Sequence, residues 1–486
     1  MNTSPVKPSL ETIASLCKRR GFIFQSSEIY GGINGFWDYG PLGAQLKRNI
    51  RDSWWRNIVQ SRENVVGLDA SIIMHPRVWE ASGHVGGFAD PMVDCRACKK
   101  RYRADQLCEE QSKQLIKTAT GFQLPDGIVC TACKSKDLTE PRAFNLMFKT
   151  FVGPVEDGSS VAYLRPETAQ GIFVQFDNVL SVSRQKVPFG IAQIGKAFRN
   201  EINPRNYTFR SREFEQMELE FFVKPGTDAE WHTYWVDQRM KWYQSIGLPA
   251  ESLKPYVYPK EELAHYASAC VDILYDFPFG MQELEGIAAR GDFDLRRHQE
   301  FSGKSMEYFD QETNEKYIPH VVEPSAGVDR IALALICNAY HEEWIPNGKT
   351  GGDVLPAEPG KPVPEGYEAR TVMRFHPSIA PIKAAIFPLL KNKPELVQKA
   401  RGIYQSLNRW WPCFWDHTGA IGRRYRRQDE IGTPYGITVD FQTLEDDTVT
   451  LRDRDTMQQE RVPVSKLIER LHDALLPPLE ETSTNG

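Results

Sequence analysis

Residues 42–60 carry Leu46, Ile50, Trp54 and Ile58 at every fourth position, a stripe that predicts a long helix with one buried face. A first helix precedes it: Ser9 can cap it, Glu11 lies in its first turn, Lys18, Arg19 and Arg20 in its last, and Gly21 stops it. A glycine-rich turn through Gly31, Gly32, Gly35 and Gly40 joins the two. Residues 65–74 read as a strand ended by Pro76. Residues 214–222 alternate: Met217, Leu219 and Phe221 face one way, and Phe214, Gln216, Glu218 and Glu220 the other. The second face is too polar for core, and too aromatic at its start for plain surface. Helical segments are expected to dominate 227–300, and 326–340 reads as a buried helix through Ile331, Leu333, Leu335 and Ile336. Residues 345–370, rich in Gly and Pro, read as a loop or linker. Beyond them, 371–475 alternates strands and helices on the scale of a small α/β domain, and 476–486 reads as a disordered tail.

The chain of 486 residues is long enough for two to four domains, at roughly 100–200 residues each. Its longest apolar run, 331–337, is far short of the about 20 residues that span a bilayer, and no secretory or transit pattern opens the chain. A cytoplasmic location with no membrane partner is the expectation. Lys and Arg number 59 against 64 Asp and Glu, a net charge of −5, so any contact with RNA must come from local basic patches. Nine cysteines in a reducing compartment argue against a disulfide framework. Cys17, Cys108, Cys270, Cys337 and Cys413 are scattered, as small core residues are. Cys95 with Cys98, and Cys130 with Cys133, form two CxxC pairs whose natural reading is a four-thiolate structural zinc site, with redox pairs as the alternative. They lie in a basic, aperiodic stretch, 94–140, that reads as an insertion.

Two segments carry chemistry. Residues 198–222 predict strand, loop, strand, with Arg199 and Glu201 at the end of the first strand, Arg205, Arg210 and Arg212 in the loop, and Phe214 opening the second strand. A hairpin of planar guanidinium donors suits a polyphosphate, and a nearby aromatic ring can stack a purine. In 323–330, EPSAGVDR, small residues lead into a helix whose first turn holds Arg330, and Gly327 would permit close backbone approach.

In this order the segments resemble the class II aminoacyl-tRNA synthetases: long helix and strand to Pro76, Phe198-Arg199-x-Glu201 with Arg210 and Phe214, then a small-residue turn into a helix bearing Arg330. WDYGPLG at 37–43, SGHVGGFADP at 82–91, RPETAQGIF at 165–173 and REFEQME at 212–218 are similar to the glycyl-tRNA synthetases of the shorter, homodimeric type, and the resemblance runs along essentially the whole chain. It implies an α+β fold. A catalytic domain with an antiparallel sheet flanked by helices would occupy 1–93 and 141–344, interrupted by the zinc-binding insertion at 94–140 and followed by a linker (345–370) and a C-terminal α/β anticodon-binding domain (371–475). It implies ATP and Mg²⁺, glycine and tRNA(Gly) as substrates and partners, and a homodimer in which the tryptophans of 42–60 either cross a two-fold axis or pack inside one subunit.

For ATP it implies Arg199, Asn200 and Glu201, the loop Phe209, Arg210, Ser211, Arg212, Glu213 and Phe214, then Glu283 with Leu284, and Gly327, Val328, Asp329 and Arg330. Arg199, Glu201 and Arg330 would be catalytic: Arg199 on the α-phosphate, Arg330 on the γ-phosphate, Phe214 stacked on adenine and Glu283 on the metal side. For glycine it implies acids around the ammonium. Glu167, Glu218 and Glu323 with Ser325 take that part, within the stretches Phe214, Glu215, Gln216, Met217, Glu218 and Glu323, Pro324, Ser325, Ala326, Gly327. Arg103 is a further substrate contact, and Arg290 a subsidiary one. Arg423, Arg424, Arg426 and Arg427 around Tyr425 suit an unpaired RNA loop. A non-catalytic, nucleic-acid-binding paralogue is the rival reading; Arg199, Phe214 and Arg330 together speak against it.

Overall fold

The computed structural model describes residues 7–118, 121–264, 267–347, 353–358 and 360–476. The helix α1 (Leu10–Arg20) starts where Ser9 accepts a bond from the Thr12 amide and stops at Gly21, in the left-handed conformation. The next helix, α2 (Pro41–Trp55), ends in a wider turn over Arg56–Gln60. Gly43 is required in its first turn, since a Cβ there would stand 1.9 Å from the carbonyl oxygen of Phe22. The stripe Leu46, Ile50, Trp54 and Ile58 is buried in the core of its own chain, so no two-fold contact rests on it.

The central sheet has seven strands: β1 (Val65–Gly67), β2 (Phe189–Phe198), β3 (Glu213–Val223), β4 (Leu253–Val257), β5 (Ala269–Phe277), β6 (Gly280–Gly291) and β7 (His320–Gly327). Their order is β4-β5-β6-β7-β3-β2-β1, antiparallel except for the edge pair β1 and β2. Two helices, α3 (Asp228–Ser245) and α4 (Val328–Ala339), pack with α1 and α2 on one face through Met217, Leu219, Phe221, Ile273, Ile287, Trp235, Ile331 and Leu335. The opposite face carries the polar side chains.

The fold corrects three expectations. Within 227–300 only α3 and the helix Phe293–Ser302 are long helices; β4, β5 and β6 lie between them. Val271, Ile273, Tyr275 and Phe277 do alternate, but Asp272, Glu285 and Arg290, buried against partners, interrupt the apolar signal, as does the exposed Glu283. The strand expected over 65–74 runs as a ladder only from Val65 to Gly67, with a single isolated bridge further on between Ile73 and Leu164. Gln193 and Arg165 side chains then hold the backbone of Ala70 in place of a neighbouring strand, and Pro76 opens a helix, Pro76–Ala81. The stretch 345–370 is bounded by a ladder: β8 (Tyr340–Pro346) pairs with β9 (Tyr367–Met373) and with a short strand, Leu355–Pro356. The expected boundary at 371 therefore falls inside β9.

The C-terminal sheet has the order β11-β10-β12-β13-β14, with β10 (Ala384–Pro388), β11 (Cys413–Trp415), β12 (Tyr435–Val439), β13 (Thr448–Asp453) and β14 (Gln459–Pro463). Its parallel centre is covered by helices including Pro394–Leu407 and α5 (Ile421–Ile431). The tail expected from 476 lies, past Leu476, outside the described residues. Among the described residues no helix is long and apolar enough to cross a membrane.

Candidate active site

The polar face of the central sheet forms the floor of the site. On β3 the side chains of Phe214, Gln216, Glu218 and Glu220 stand on this floor, while Met217, Leu219 and Phe221 are in the core. Register aligns Glu218 with Gln193 on β2 and Ser325 on β7, and Ser325 with Gly286 on β6. Of the stretches expected to bind substrate, alternate residues turn away. Glu215 is bound by Lys47 and Arg51 of α2, and Asp329 by Lys47 and the Glu215 amide. Met217, Leu284, Ala326 and Val328 are core residues, and Pro324 pairs across to Ile287. Only their backbones can border a ligand. A bulge at Leu284 turns Leu284 and Glu285 together towards the helices, where Arg239 and Tyr243 donate to Glu285, and leaves Glu283 facing Arg330.

One end of the floor is acidic. Ser325 and Thr168 hydroxyls donate to the two oxygens of Glu218. One oxygen each of Glu218, Glu220 and Glu323 lie within 4.8 Å of one another. Arg290 donates to Glu323 at 2.7 Å and is clamped by both oxygens of Asp294. Glu167 accepts from Gln170 at 3.0 Å and lies 3.3 Å from His84 Nε2, and Gln170 also donates to Asp294. Glu220 is wholly buried with no hydrogen bond to either oxygen. Burial and the neighbouring charge of Glu167 raise the Glu218 carboxyl. Burial likewise pushes Glu323 up to about 8, with Arg290 opposing and Glu218 and Glu167 adding to it. Burial also raises Glu167, but His84, Arg290 and Gln170 outweigh it and hold that carboxyl well below the usual range. Crowding buried carboxylates together disfavours their charged forms, and a small cation bound among them would relieve that cost.

The other end is basic. Arg199 follows β2; its Nε donates to the Pro166 carbonyl at 3.1 Å, and its guanidinium lies 5.2 Å from the Phe214 ring centre and 5.5 Å from that of Phe88. Arg330 lies 4.4 Å over the Phe209 ring and 3.1 Å from Glu283, whose carboxyl is lowered chiefly by that charge. Arg210 is 4.0 Å from Glu201; Glu201 Oε2 and Arg210 Nη1 are both buried without a hydrogen bond, a cluster left for a ligand to complete. Arg103 pairs with Asp90 and Asp105, beside Glu201. Arg212 instead holds the loop, donating to the carbonyls of Glu201 and Asn34; Glu213 pairs with Lys196, and Ser211 donates to Thr208. The Asn200 amide donates to the Leu146 carbonyl. Gly327 has ordinary extended backbone, and a Cβ there would make a 3.6 Å contact with Arg330, so the fold of the free chain does not demand glycine at that position. Sequence reasoning passed over His84, Thr168, Gln170, Asp294 and Asp272. The first three lie in the quoted segments SGHVGGFADP and RPETAQGIF, a signal that was available.

Beside the site, strands Ala89–Asp94, Arg101–Arg103 and Arg142–Asn145 form a small sheet that carries the cysteine pairs. Cys95 and Cys133 sulfurs are 3.6 Å apart, as are those of Cys98 and Cys130, and all four lie within 4.8 Å of one another. A tetrahedral Zn–S bond of about 2.3 Å sets sulfurs about 3.8 Å apart, so the four thiols fit zinc. Each CxxC turn closes alike: Lys99 donates to Cys95 and Lys134 to Cys130, and both lysines have φ 61°. Cys108 is buried in a separate apolar cluster. Replacing Cys95 and Cys130 by serine is expected to abolish one equivalent of bound zinc by elemental analysis and to expose the 94–140 stretch to limited proteolysis; retained zinc would sink the assignment.

The C-terminal arginines are placed differently from the expectation of a free RNA-facing patch. On α5, Arg424 is buried and donates to the carbonyls of Pro388, Leu389 and Gly419; Arg426 pairs with Glu368, and Arg427 with Asp416. Tyr425 donates to or accepts from Thr438 and packs on Phe387. Arg423 alone of the four is exposed. The helix is a brace: Asp429 binds Arg370 and Arg452, and Glu430 binds Arg19 and Arg20 of α1.

A sheet of this order, with an acidic and an arginine-lined end on one floor, defines a class II synthetase core. Residues 152–340 match the family described as tRNA synthetase class II core domain (G, H, P, S and T), 383–473 the anticodon binding domain, and 90–123 the glycyl-tRNA synthetase insertion domain 1. The chain is 53% identical over 466 residues to the glycine--tRNA ligase of Treponema denticola, covering 96% of this chain and 97% of that one. It is 53% identical to that of Clostridium beijerinckii (95% and 97% covered) and 52% to that of Thermobifida fusca (96% and 98%). The chain belongs to the glycine--tRNA ligase family.

Proposed function

We propose that this protein joins glycine to tRNA(Gly) in two steps: glycine and ATP give glycyl-adenylate and pyrophosphate, and glycine then passes to the 3′-terminal adenosine. The observation that carries this reading is the convergence of Glu167, Glu218 and Glu323 with Ser325 at one end of a floor whose other end holds Arg199, Phe214 and Arg330. The acids receive the glycine ammonium. Its carboxylate then faces Arg199, where it attacks the α-phosphorus; the new O–P bond forms as the bond to pyrophosphate breaks. The nucleophile is already an anion, so no protein base is needed, only alignment and neutralisation of charge. Arg330 and Arg210 take the departing phosphates, and Phe214 stacks the adenine. Glu283 is the carboxylate placed to hold Mg²⁺, which would supply further neutralisation on the phosphates. In the second step a ribose hydroxyl of tRNA attacks the mixed anhydride and AMP leaves.

Glycine-dependent ATP–pyrophosphate exchange, with alanine, serine and proline alongside, tests the reading. Exchange with glycine alone is expected, and none with any amino acid from folded, zinc-replete protein would overturn it. The KM for glycine is expected to fall as pH rises from about 6 to about 8, because Glu323, raised to about 8, must lose its proton to accept the ammonium. A flat profile over that range would remove the acids from glycine binding. The cytoplasm is the proposed location. A homodimer is proposed through apolar side chains left exposed in one copy, Ile29, Tyr30 and Ile33 with Ile72 and Ile73, and sedimentation of the full chain as a monomer would refute it.

A further inference from the structure

Asp272 stands on the same floor, outside every segment that the sequence singles out. Ile273 and Tyr275 of β5 turn into the core, so Asp272 turns towards the site, where it is 7% exposed. Register places it opposite Gly286, which is opposite Ser325, which is opposite Glu218. At about 4.8 Å per strand it lies about 10 Å from Ser325 along one cross-strand row. Its Oδ2 accepts from the Tyr258 hydroxyl at 2.8 Å, which fixes the carboxylate. Its Oδ1 leans over the floor: a Cβ on Gly286 would stand 3.3 Å from it. The charges of Glu283 and Arg330, at the nucleotide end, both act on it.

An anchored acceptor oxygen beside a side-chain-free stretch of floor suits a hydroxyl donor. A phosphate would be repelled, and a partner needed only to hold Tyr258 could be a neutral amide at lower cost. Burial, then the nearby charge of Glu283, pushes the Asp272 carboxyl up to about 6, a penalty that a purely structural role leaves unexplained. Ribose is the hydroxyl-bearing part common to ATP and to the terminal adenosine of tRNA. We propose that Asp272 is a binding residue that accepts a hydrogen bond from a ribose hydroxyl of an adenosine in the site. The proposal rests on the ATP reading above.

The test begins with the unaltered protein in glycine-dependent pyrophosphate exchange, comparing ATP with 2′-deoxyATP and 3′-deoxyATP. A preference for ATP of about tenfold or more in kcat/KM over one analogue is expected, the worth of a hydrogen bond to a charged acceptor. Asp272→Asn should abolish that preference while leaving the preference over the other analogue. Tyr258→Phe, which only loosens the carboxylate, should reduce it by less and serves should the first variant not fold. If the ribose is that of tRNA, the exchange ratios stay put and the change appears in charging of tRNA ending in adenosine against 2′-deoxyadenosine. Equal use of all nucleotides and both tRNA ends by the unaltered protein, or ratios unmoved by either substitution in both assays, would overturn the proposal. Absence of exchange with ATP itself would instead refute the reading of the site as a whole.

Discussion

Substituting Arg199 by glutamine is expected to cut kcat for glycine-dependent pyrophosphate exchange by about 10²–10³-fold, the usual loss when one aimed donor to a developing charge is removed. The geometry concentrates that effect on one residue. The Nε of Arg199 is occupied by the Pro166 carbonyl, which fixes the plane of the guanidinium, and Phe214 and Phe88 flank it, so its terminal nitrogens are directed by packing. Glutamine keeps part of the length and loses the charge and the fork. Lysine should recover only part of the rate, because a point charge cannot reproduce a planar double donor. The KM for ATP should move less than kcat, since the charge that Arg199 meets is greatest in the transition state. A loss of less than about fivefold would place the phosphorus elsewhere on the floor.

The second large effect is expected far from the chemistry. Asp429→Ala should destabilise the C-terminal part of the chain by about 3–5 kcal/mol, as removing one member of a buried ionic cluster does. Asp429 is 1% exposed and accepts from Arg370, itself fully buried, at 2.9 Å, and from Arg452 at 2.9 Å and 3.2 Å. Glu343 and the Arg454 carbonyl take the remaining Arg370 donors, so the arginine has nowhere to turn when Asp429 is lost. Hydrogen exchange is the suitable measurement, because a chain with several folded units need not unfold in one step. Protection should fall across α5 and β13 while the central sheet keeps its own; an unchanged pattern would show that the cluster is dispensable.

How much of this could be read from the chain depends on where each side chain finds its partner. The strand β3 was legible because its polar and apolar positions alternate without a break from Gln216 to Phe221. The strands β5 and β6 were not, because Glu285 is matched by Arg239, Glu283 by Arg330 and Arg290 by Glu323, all distant in sequence. A charge whose partner is far away looks like a surface residue. The same blindness affected α5: GRRYRRQDE has one pattern whether its arginines meet RNA phosphates or protein carbonyls and carboxylates. The acids of the site were legible only through resemblance to a family. Their supports, Gln170, His84 and Asp294, sit in segments with no periodicity to expose them. The two cysteine turns were legible from spacing alone, since a CxxC turn is local and needs no knowledge of the fold.

The ladder between β8 and β9 sets a rule for anyone recombining such chains. A graft that exchanged the C-terminal unit at the glycine- and proline-rich stretch would take Arg370 from one parent and Glu343 from the other, and would ask two lineages to agree on a buried charge cluster. A join just before Tyr340 carries β8, β9, α5 and their ionic partners as one piece. It leaves the pairing of Glu430 with Arg19 and Arg20 as a contact to be rematched across the seam. The portable module therefore begins about thirty residues upstream of where composition would draw it.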